Sequence, residues 1–587
     1  MTQISIVQDC LFPGMDFSAP DDLYVRFDAN VSTHLVPRTL TFKIGGRAWF
    51  DTFYNSISIA AWKRMTIIDN LAVSLEGQGV FLVRAGVHRF QHPNLWILEQ
   101  IVQLTPDKIE TIELPWSDLH EGILYIYLEA LTDGELTKGY FSTHTPVANV
   151  VHLGIVITHF NRKSFVVPAI RRIQQHLLER TDCHGKIELI VVDNSCNLIA
   201  EETGGATIIP NLNLGGSGGF TRGLLHLIDK KNFTHCLFMD DDASCEIESI
   251  RRALILQQFS RDSKLAISGA LMREIEPYRL FEKGASYNRG VCRPLNHWRD
   301  MRNIDEILHA ERYDDKNVYG AWWFFCFNIG QIKSFPFPFF VRGDDTLFSL
   351  MNDFKIETLN GISCWGEDFQ LKENPSTRYL GLRSSLAIFL MTNKVSRVRI
   401  CRIMFSWFAS SLFSYNYGSA QAINKAIRDV AKGPEFWLEN INASTILAEL
   451  ATLNTTEKMV PVCLSDYSLV RKGTQESRVR CFLRIITFNG FLLPSFLIRK
   501  VIVLDEKSFR GNFRRIFRYQ HVLYFYEAMS LGYVAAYNRK NFFRIFLDFL
   551  RIIFHFLWNI RQLSYAYKRA MPKMTSEDFW RKIYANK

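Results

Sequence analysis

The sequence contains no run of about 18 uncharged apolar residues, so no transmembrane helix is expected. Its opening, MTQISIVQDCLFPGMDF, lacks a basic stretch followed by an apolar one, and a secretory signal is not expected. The 11 cysteines form no CxxC pair and no regular spacing. That pattern excludes a disulfide framework and reads as reduced thiols in a cytoplasmic protein. Internal repeats and low-complexity segments are also missing. What is there belongs to a folded chain: 587 residues, 48% hydrophobic and 22% charged, are too apolar for disorder. The length suits about four average domains or three large ones. The net charge of +10 is local, because residues 501–587 carry 16 Lys/Arg against 6 Asp/Glu and so account for all of it. A basic tail, rather than a basic protein, needs a partner.

Three regions follow from the patterning. Residues 1–150 show short strand-like runs, among them Leu40–Ile44, Val80–Val83, Ile109–Leu114 and Ile123–Leu128, broken by Gly, Asn and Pro. They predict an antiparallel β-sandwich. Residues 151–392 change grammar: LGIVITHFNR, IELIVVDNS, ATIIPN and THCLFMDDDA are buried-strand patterns separated by helical ones. Such alternation predicts a doubly wound, Rossmann-like α/β domain with a parallel sheet. Residues 393–587 are helical, aromatic and basic in pattern. Arg544, Asp548, Arg551 and His555 recur at helical spacing among Phe, Leu and Ile.

In open α/β sheets, ligands bind beyond the carboxyl ends of the strands. The polar clusters HFNR, VDNS, NLGGSGG and DDD all fall at those ends. Asp240, Asp241 and Asp242 crowd three carboxylates at one strand end. They suit a hard divalent ion bridging phosphates, with Asp240 and Asp242 both within reach of one ion, or else an acidic turn capping the next helix. Gly215 and Gly216 open a glycine-rich segment that lets backbone approach a bulky ligand and offers helix N–H groups to phosphate. Arg222, further into that helix, can pair with phosphate or a carboxylate. The segment is neither a Walker A nor a G-x-G-x-x-G motif. Arg162, Asp193 and Asn194 stand at strand ends, placed to hold phosphate, base or ribose, or to form ordinary turns. Asp344 and Asp345 follow FPFPFFV, where one carboxylate can take a hydroxyl proton. Trp322 and Trp323 can stack on sugar rings or fill the core.

The order HFNR, VVDN, NLGGSGGFTRG, FMDDD, WW, GDD resembles the inverting nucleotide-sugar glycosyltransferases of GT-A fold. It is most similar to the bacterial galactofuranosyltransferases of glycosyltransferase family 2 that polymerise cell-wall galactan. The resemblance spans about residues 40–390 and implies a set of roles. Arg162, Asn194 and Asn213 hold the UDP of the donor, with Asp193 beside the base. Asp240 and Asp242 ligate Mn2+ or Mg2+, and Asp345 is the base. Asp344, Trp322 and Trp323 shape the acceptor site. The family's metal-binding His, which follows a Trp, is replaced by Gly366 after Trp365; either Glu367 or Asp368 substitutes, or water fills the position and metal affinity drops. Metal-dependent transfer of galactofuranose from UDP-galactofuranose onto a lipid-linked cell-surface glycan, such as an O-antigen, is then the expected activity. Another UDP- or dTDP-sugar, rhamnose included, and a degenerate carbohydrate-binding protein are the alternatives.

The apolar and basic tail suits the surface of an anionic bilayer, which would place the protein peripherally on the cytoplasmic face of the inner membrane. A helix bundle with a solvated basic face explains the composition equally well. No nucleic-acid module is present, so nucleic acid is not an expected partner. Homo-oligomerisation is left open.

Overall fold

The computed structural model describes residues 4–15, 19–288, 290–312, 318–453, 456–464, 476–504 and 513–585. In the first region the strands pair antiparallel around one long strand, Leu71–His88. Its first half pairs with Glu110–Leu114 and Gly134–Thr143, and its second half with Leu95–Leu104 and Ile123–Ala130. Strand alternation turns Phe81, Val83, Ala85 and Val87 into a common core with Leu40, Phe42, Ile126 and Leu128. A short helix, Ile59–Met65, interrupts the strands and buries Ile59, Trp62 and Met65 at helical spacing.

This region is welded to the next. Tyr24 donates to Glu246 at 2.6 Å, Arg64 pairs with Glu357 at 2.9 Å, and the Tyr54 and Ser363 hydroxyls meet at 2.8 Å. The apolar core runs on without a break from Leu40 and Phe42 to Ile155, Leu189 and Leu254.

The central sheet has seven strands. Thr207–Pro210, Ile187–Asp193, Leu153–His159 and His235–Asp240 run parallel, in that spatial order. They are near-continuous Val, Ile and Leu because helices cover both faces. The sheet is mixed rather than all-parallel. Phe325–Asn328 lies antiparallel between His235–Asp240 and Leu265–Ser268, and Lys355–Glu357 closes the edge. Phe325 and Phe327 anchor the reversed strand in an aromatic cluster with Phe238, Phe348 and Phe354.

A smaller four-stranded sheet sets Ser244–Cys245 beside Ser363–Gly366, followed by Ala270–Arg273 and Leu280–Glu282. Ser244 thereby pairs with Trp365, which brings Gly366 close to the acidic triplet.

The remainder packs Pro375–Thr392, Arg397–Leu412 and Tyr417–Ala431 against a 36-residue helix, Arg539–Met574. That helix is about 54 Å long. The expectation of a purely helical tail is corrected by a four-stranded sheet of Val460–Pro461, Leu531–Ala536, Tyr519–Tyr526 and Arg499–Leu504. Runs such as VIVL and VLYFY are β-branched and aromatic, and burial of Val522, Tyr524 and Leu504 against the helices settles them as strands. Among the described residues no helix is long and apolar enough to cross a membrane.

Candidate active site

The parallel strands end in register: His159 lies opposite Asp193, Thr158 opposite Asp240, and Asp193 opposite Pro210. Beyond them Arg162 comes down on the acidic triplet. Its Nη1 is 3.2 Å from Asp241 Oδ1 and 2.6 Å from Asp242 Oδ2. His159, fully buried, sits behind it, 3.4 Å from Asp241 Oδ2 and 3.1 Å from Asn197 Oδ1. Burial opposes protonation of this imidazole, but the bonds to Asp241 and Asn197 outweigh it and raise its pKa. Asp241 also accepts from the Phe160 N–H at 3.3 Å, so this carboxylate fixes the loop carrying Arg162.

The three carboxylates are not equivalent. Burial, and then the charges of Asp242 and Asp241, push Asp240 up to about 8. Asp242 moves the other way: burial raises it, but Lys372 and Arg162 together outweigh that and hold it low. The Lys372 Nζ lies 2.8 Å from Asp242 Oδ2.

The glycine-rich segment opens a helix, as expected: Gly215–Lys230 begins at its first glycine. Gly215 has φ +67°, and a Cβ there would lie 2.1 Å from the Phe340 carbonyl oxygen. A Cβ on Gly219 would lie 2.3 Å from Thr158 Cγ2. Glycine is therefore needed for the helix to press its first turns onto the central strand. Asn213 caps that start by accepting from the Gly215 N–H at 3.0 Å. Asn194 reaches the Gly215 carbonyl at 3.5 Å and accepts from Asn211 at 2.8 Å.

Opposite the helix start, the loop before Asp344 holds Phe340, Arg342 and Gly343 at φ 73°, 72° and 82°. Left-handed backbone at non-glycine positions marks stored strain of the kind found at functional sites. The loop is braced by Arg383, which donates to the Phe339 carbonyl at 2.6 Å, and by the Ser217 N–H, which donates to Phe340 at 3.1 Å. Asp344 accepts from the Ser217 hydroxyl at 3.1 Å; burial and the neighbouring Asp345 raise it to about 7. Asp345 turns the other way and accepts from the Thr346 N–H at 2.6 Å; its pKa is raised chiefly by burial. Glu282, buried nearby, is pushed to about 8 by burial and by the charge of Asp345.

The structure thus brings together Arg162, Asp240, Asp241 and Asp242, the helix start with Asn194, Asn213, Gly215 and Gly216, and the Asp344–Asp345 pair. Six expected residues sit differently. Asp193, 2% exposed, spends both carboxylate oxygens on the N–H groups of Ser195, Asn197 and Leu198, and so builds the turn that ends its strand. Arg222 stacks over Tyr584 with its guanidinium carbon 5.2 Å from the ring centre, away from the carboxylates. Trp322 is enclosed by Phe220, Phe238 and Phe348 in the core, while Trp323 is half-buried and faces Phe369 at 6.2 Å. Asp368 is tied to Arg273 Nε at 3.0 Å and accepts from Tyr526 of the C-terminal sheet. Glu367 lies on the rim, 3.6 Å from Lys372. Three contributors escaped the sequence reading: His159, Lys372 and Glu282. Only His159 had a signal, as part of the HFNR strand end.

The donor set does not fit a tightly held divalent ion. Asp240 offers carboxylate oxygens, but Asp242 Oδ2 already receives both Arg162 and Lys372. Among the described residues no group of three His, Cys, Asp or Glu side chains converges. One or two carboxylates suffice for Mg2+ where substrate phosphates and waters complete its shell, but here the second carboxylate is already engaged by two cations. A separate cleft of about 590 Å³, lined by residues including Phe233, His235, Gln257 and Asn328, opens at the other ends of the strands. Burial lowers His235 there to about 4, leaving it neutral, and no charged cluster converges on that cleft.

No family model matches the chain. The galactofuranosyltransferase GlfT2 of Mycobacterium tuberculosis is 24% identical over 442 residues, 68% of this chain and 68% of that protein. GlfT2 of Mycolicibacterium smegmatis is 23% identical over 428 residues, 66% of this chain and 64% of that protein. The resemblance drawn from motif order thus extends over about two thirds of the chain, and both relatives are galactofuranosyltransferases. Among solved structures, GalNAc-T7 with UDP, GalNAc and Mn2+ matches at TM-score 0.31 and 10% identity, covering 54% of this chain and 60% of that one. Mannosyl-3-phosphoglycerate synthase from Rubrobacter xylanophilus matches at TM-score 0.26 and 12% identity, covering 40% and 73%. Superpositions this loose carry no functional weight.

Proposed function

We propose that the chain is an inverting glycosyltransferase that moves galactofuranose from UDP-galactofuranose to a hydroxyl of a growing cell-surface glycan. The observation that carries this reading is the meeting, at the carboxyl ends of the parallel strands, of Arg162, the acidic triplet and the start of the glycine helix with the Asp344–Asp345 pair, in a chain related to galactofuranosyltransferases.

In this reading Arg162, beside the start of Gly215–Lys230, binds the diphosphate. Asn194 and Asn213 hold that helix start in place. Asp345 accepts the proton of the acceptor hydroxyl. The acceptor oxygen forms its bond to the anomeric carbon as the bond from that carbon to the UDP oxygen breaks, on the opposite face. The electron pair leaves with UDP, and Arg162 stabilises the charge growing there. The raised pKa of Asp345 makes it a stronger base than an ordinary aspartate. No step is routed through a metal ion.

Residues 1–150 act as a β-sandwich fixed to the GT-A catalytic unit, and the C-terminal region as a peripheral membrane contact. The outer side of Arg539–Met574 leaves Leu547, Leu550, Phe554 and Trp558 exposed, Trp558 by 74%, with Arg544, Arg551 and Arg561 alongside. That combination suits an anionic bilayer carrying a lipid-linked acceptor at its cytoplasmic face. The test is Asp345→Asn. Losing a general base typically costs 10²–10⁴-fold in rate, so transfer should fall by about that much while UDP affinity stays near wild type. Turnover within tenfold of wild type would refute the role of Asp345.

A further inference from the structure

Asp242 Oδ2 is held from two sides, by Arg162 at 2.6 Å and by Lys372 at 2.8 Å. A carboxylate oxygen has two lone-pair directions, so this one is saturated by protein cations. Lys372 comes from the short helix Phe369–Lys372, which follows directly on the strand ending at Gly366. The pairing of Ser244 with Trp365 puts position 366 next to the acidic triplet, yet glycine offers no ligand there. Six residues on, the chain returns a cation to the same carboxylate. The Lys372 side chain is 26% exposed, so its ammonium borders the open side of the cluster. The other charged groups around it are Glu367 at 3.6 Å, Asp240 and Glu274.

Resting on the transferase reading above, we infer that Lys372 supplies at Asp242 the positive charge that a ligated divalent ion would bring, so that Lys372 and Arg162 bind the donor's diphosphate without a metal. An ammonium has three donors; one serves Asp242 and the others are available to phosphate oxygens. The arrangement also disfavours a divalent ion, which would have to displace Lys372 to use both oxygens of Asp242.

The test is UDP titration by calorimetry, in EDTA and in Mn2+, on the full chain and on Lys372→Gln and Lys372→Arg, together with Mn2+ titration without nucleotide. Wild type should bind UDP in EDTA within a few-fold of its affinity in Mn2+. Lys372→Gln should lose about tenfold or more in EDTA, as expected for one charge-assisted hydrogen bond. Lys372→Arg should recover most of that loss, and Lys372→Gln should bind free Mn2+ more tightly than wild type. A merely structural Lys372 would shift the melting temperature of Lys372→Gln and leave its UDP affinity in EDTA unchanged, which overturns the inference. Strict Mn2+ dependence of UDP binding in wild type overturns it as well. Absence of UDP binding under both conditions would instead refute the nucleotide-sugar reading, and this role with it.

Discussion

A single methyl group at Gly219 should separate the glycine helix from the sheet it rests on. In Gly219→Ala the added Cβ would lie 2.3 Å from Thr158 Cγ2, 2.8 Å from Thr158 Oγ1 and 3.1 Å from Asn194 Nδ2. Carbon atoms in contact prefer about 3.5–4.0 Å, so the helix start must retreat by more than about 1 Å or Thr158 must leave its rotamer. Thr158 is β-branched and lies on the central strand Leu153–His159, with little freedom to turn. Overpacking of this kind costs about 1–3 kcal/mol. The retreat also moves the helix start that borders the proposed diphosphate site, and a 1 Å displacement can cost about 10²-fold in rate. Melting temperature and UDP affinity should therefore fall together. Gly216→Ala is the control, since its Cβ would lie 3.3 Å from the Asp344 carboxylate and in ordinary contact with Phe220 at 3.9 Å, and should cost much less. Wild-type stability and UDP affinity in Gly219→Ala would refute the packing argument.

Two further expectations follow from burial. Trp322→Ala should cost about 3–5 kcal/mol, the range for deleting a large aromatic from a core, because Trp322 is enclosed by Phe220, Phe238 and Phe348; a stable variant with only a raised acceptor KM would restore Trp322 to the acceptor site. Glu282 keeps a proton in the folded chain up to about 8, against an ordinary value of 4.5. Its contribution to stability is thus present in full below 4.5 and lost as pH rises towards 8, at up to about 1.4 kcal/mol per pH unit. Chemical denaturation of Glu282→Gln across that window should show a shallower loss of stability than wild type, and an unchanged slope would contradict the assignment.

The strand ends were legible because each is a buried hydrophobic run stopped by polar residues, and the sheet topology carries those stops to one edge. The glycine segment was legible as a helix start although its composition works against a helix. Glycine disfavours helix by about 1 kcal/mol per residue, and only the close approach to Val156 and Thr158 makes it the residue required inside Gly215–Lys230. Strands Arg499–Leu504 and Tyr519–Tyr526 were hidden because their aromatic and aliphatic composition also fits a buried helix, and burial rather than pattern decides between them. A Trp-Trp pair gives no clue to which ring faces inward. Lys372 could not be found at all, since its partner lies 130 positions earlier in the chain.

The central claim is most directly tested by offering the purified chain UDP-galactofuranose, UDP-galactopyranose, UDP-glucose and dTDP-rhamnose with a lipid-linked galactofuranosyl acceptor, and measuring released nucleotide and extended glycan. The account predicts acceptor-dependent turnover of UDP-galactofuranose alone, abolished in Asp345→Asn. Turnover of a different donor would contradict the substrate, and silence with every donor, from a chain that still melts cooperatively, would contradict the transferase itself.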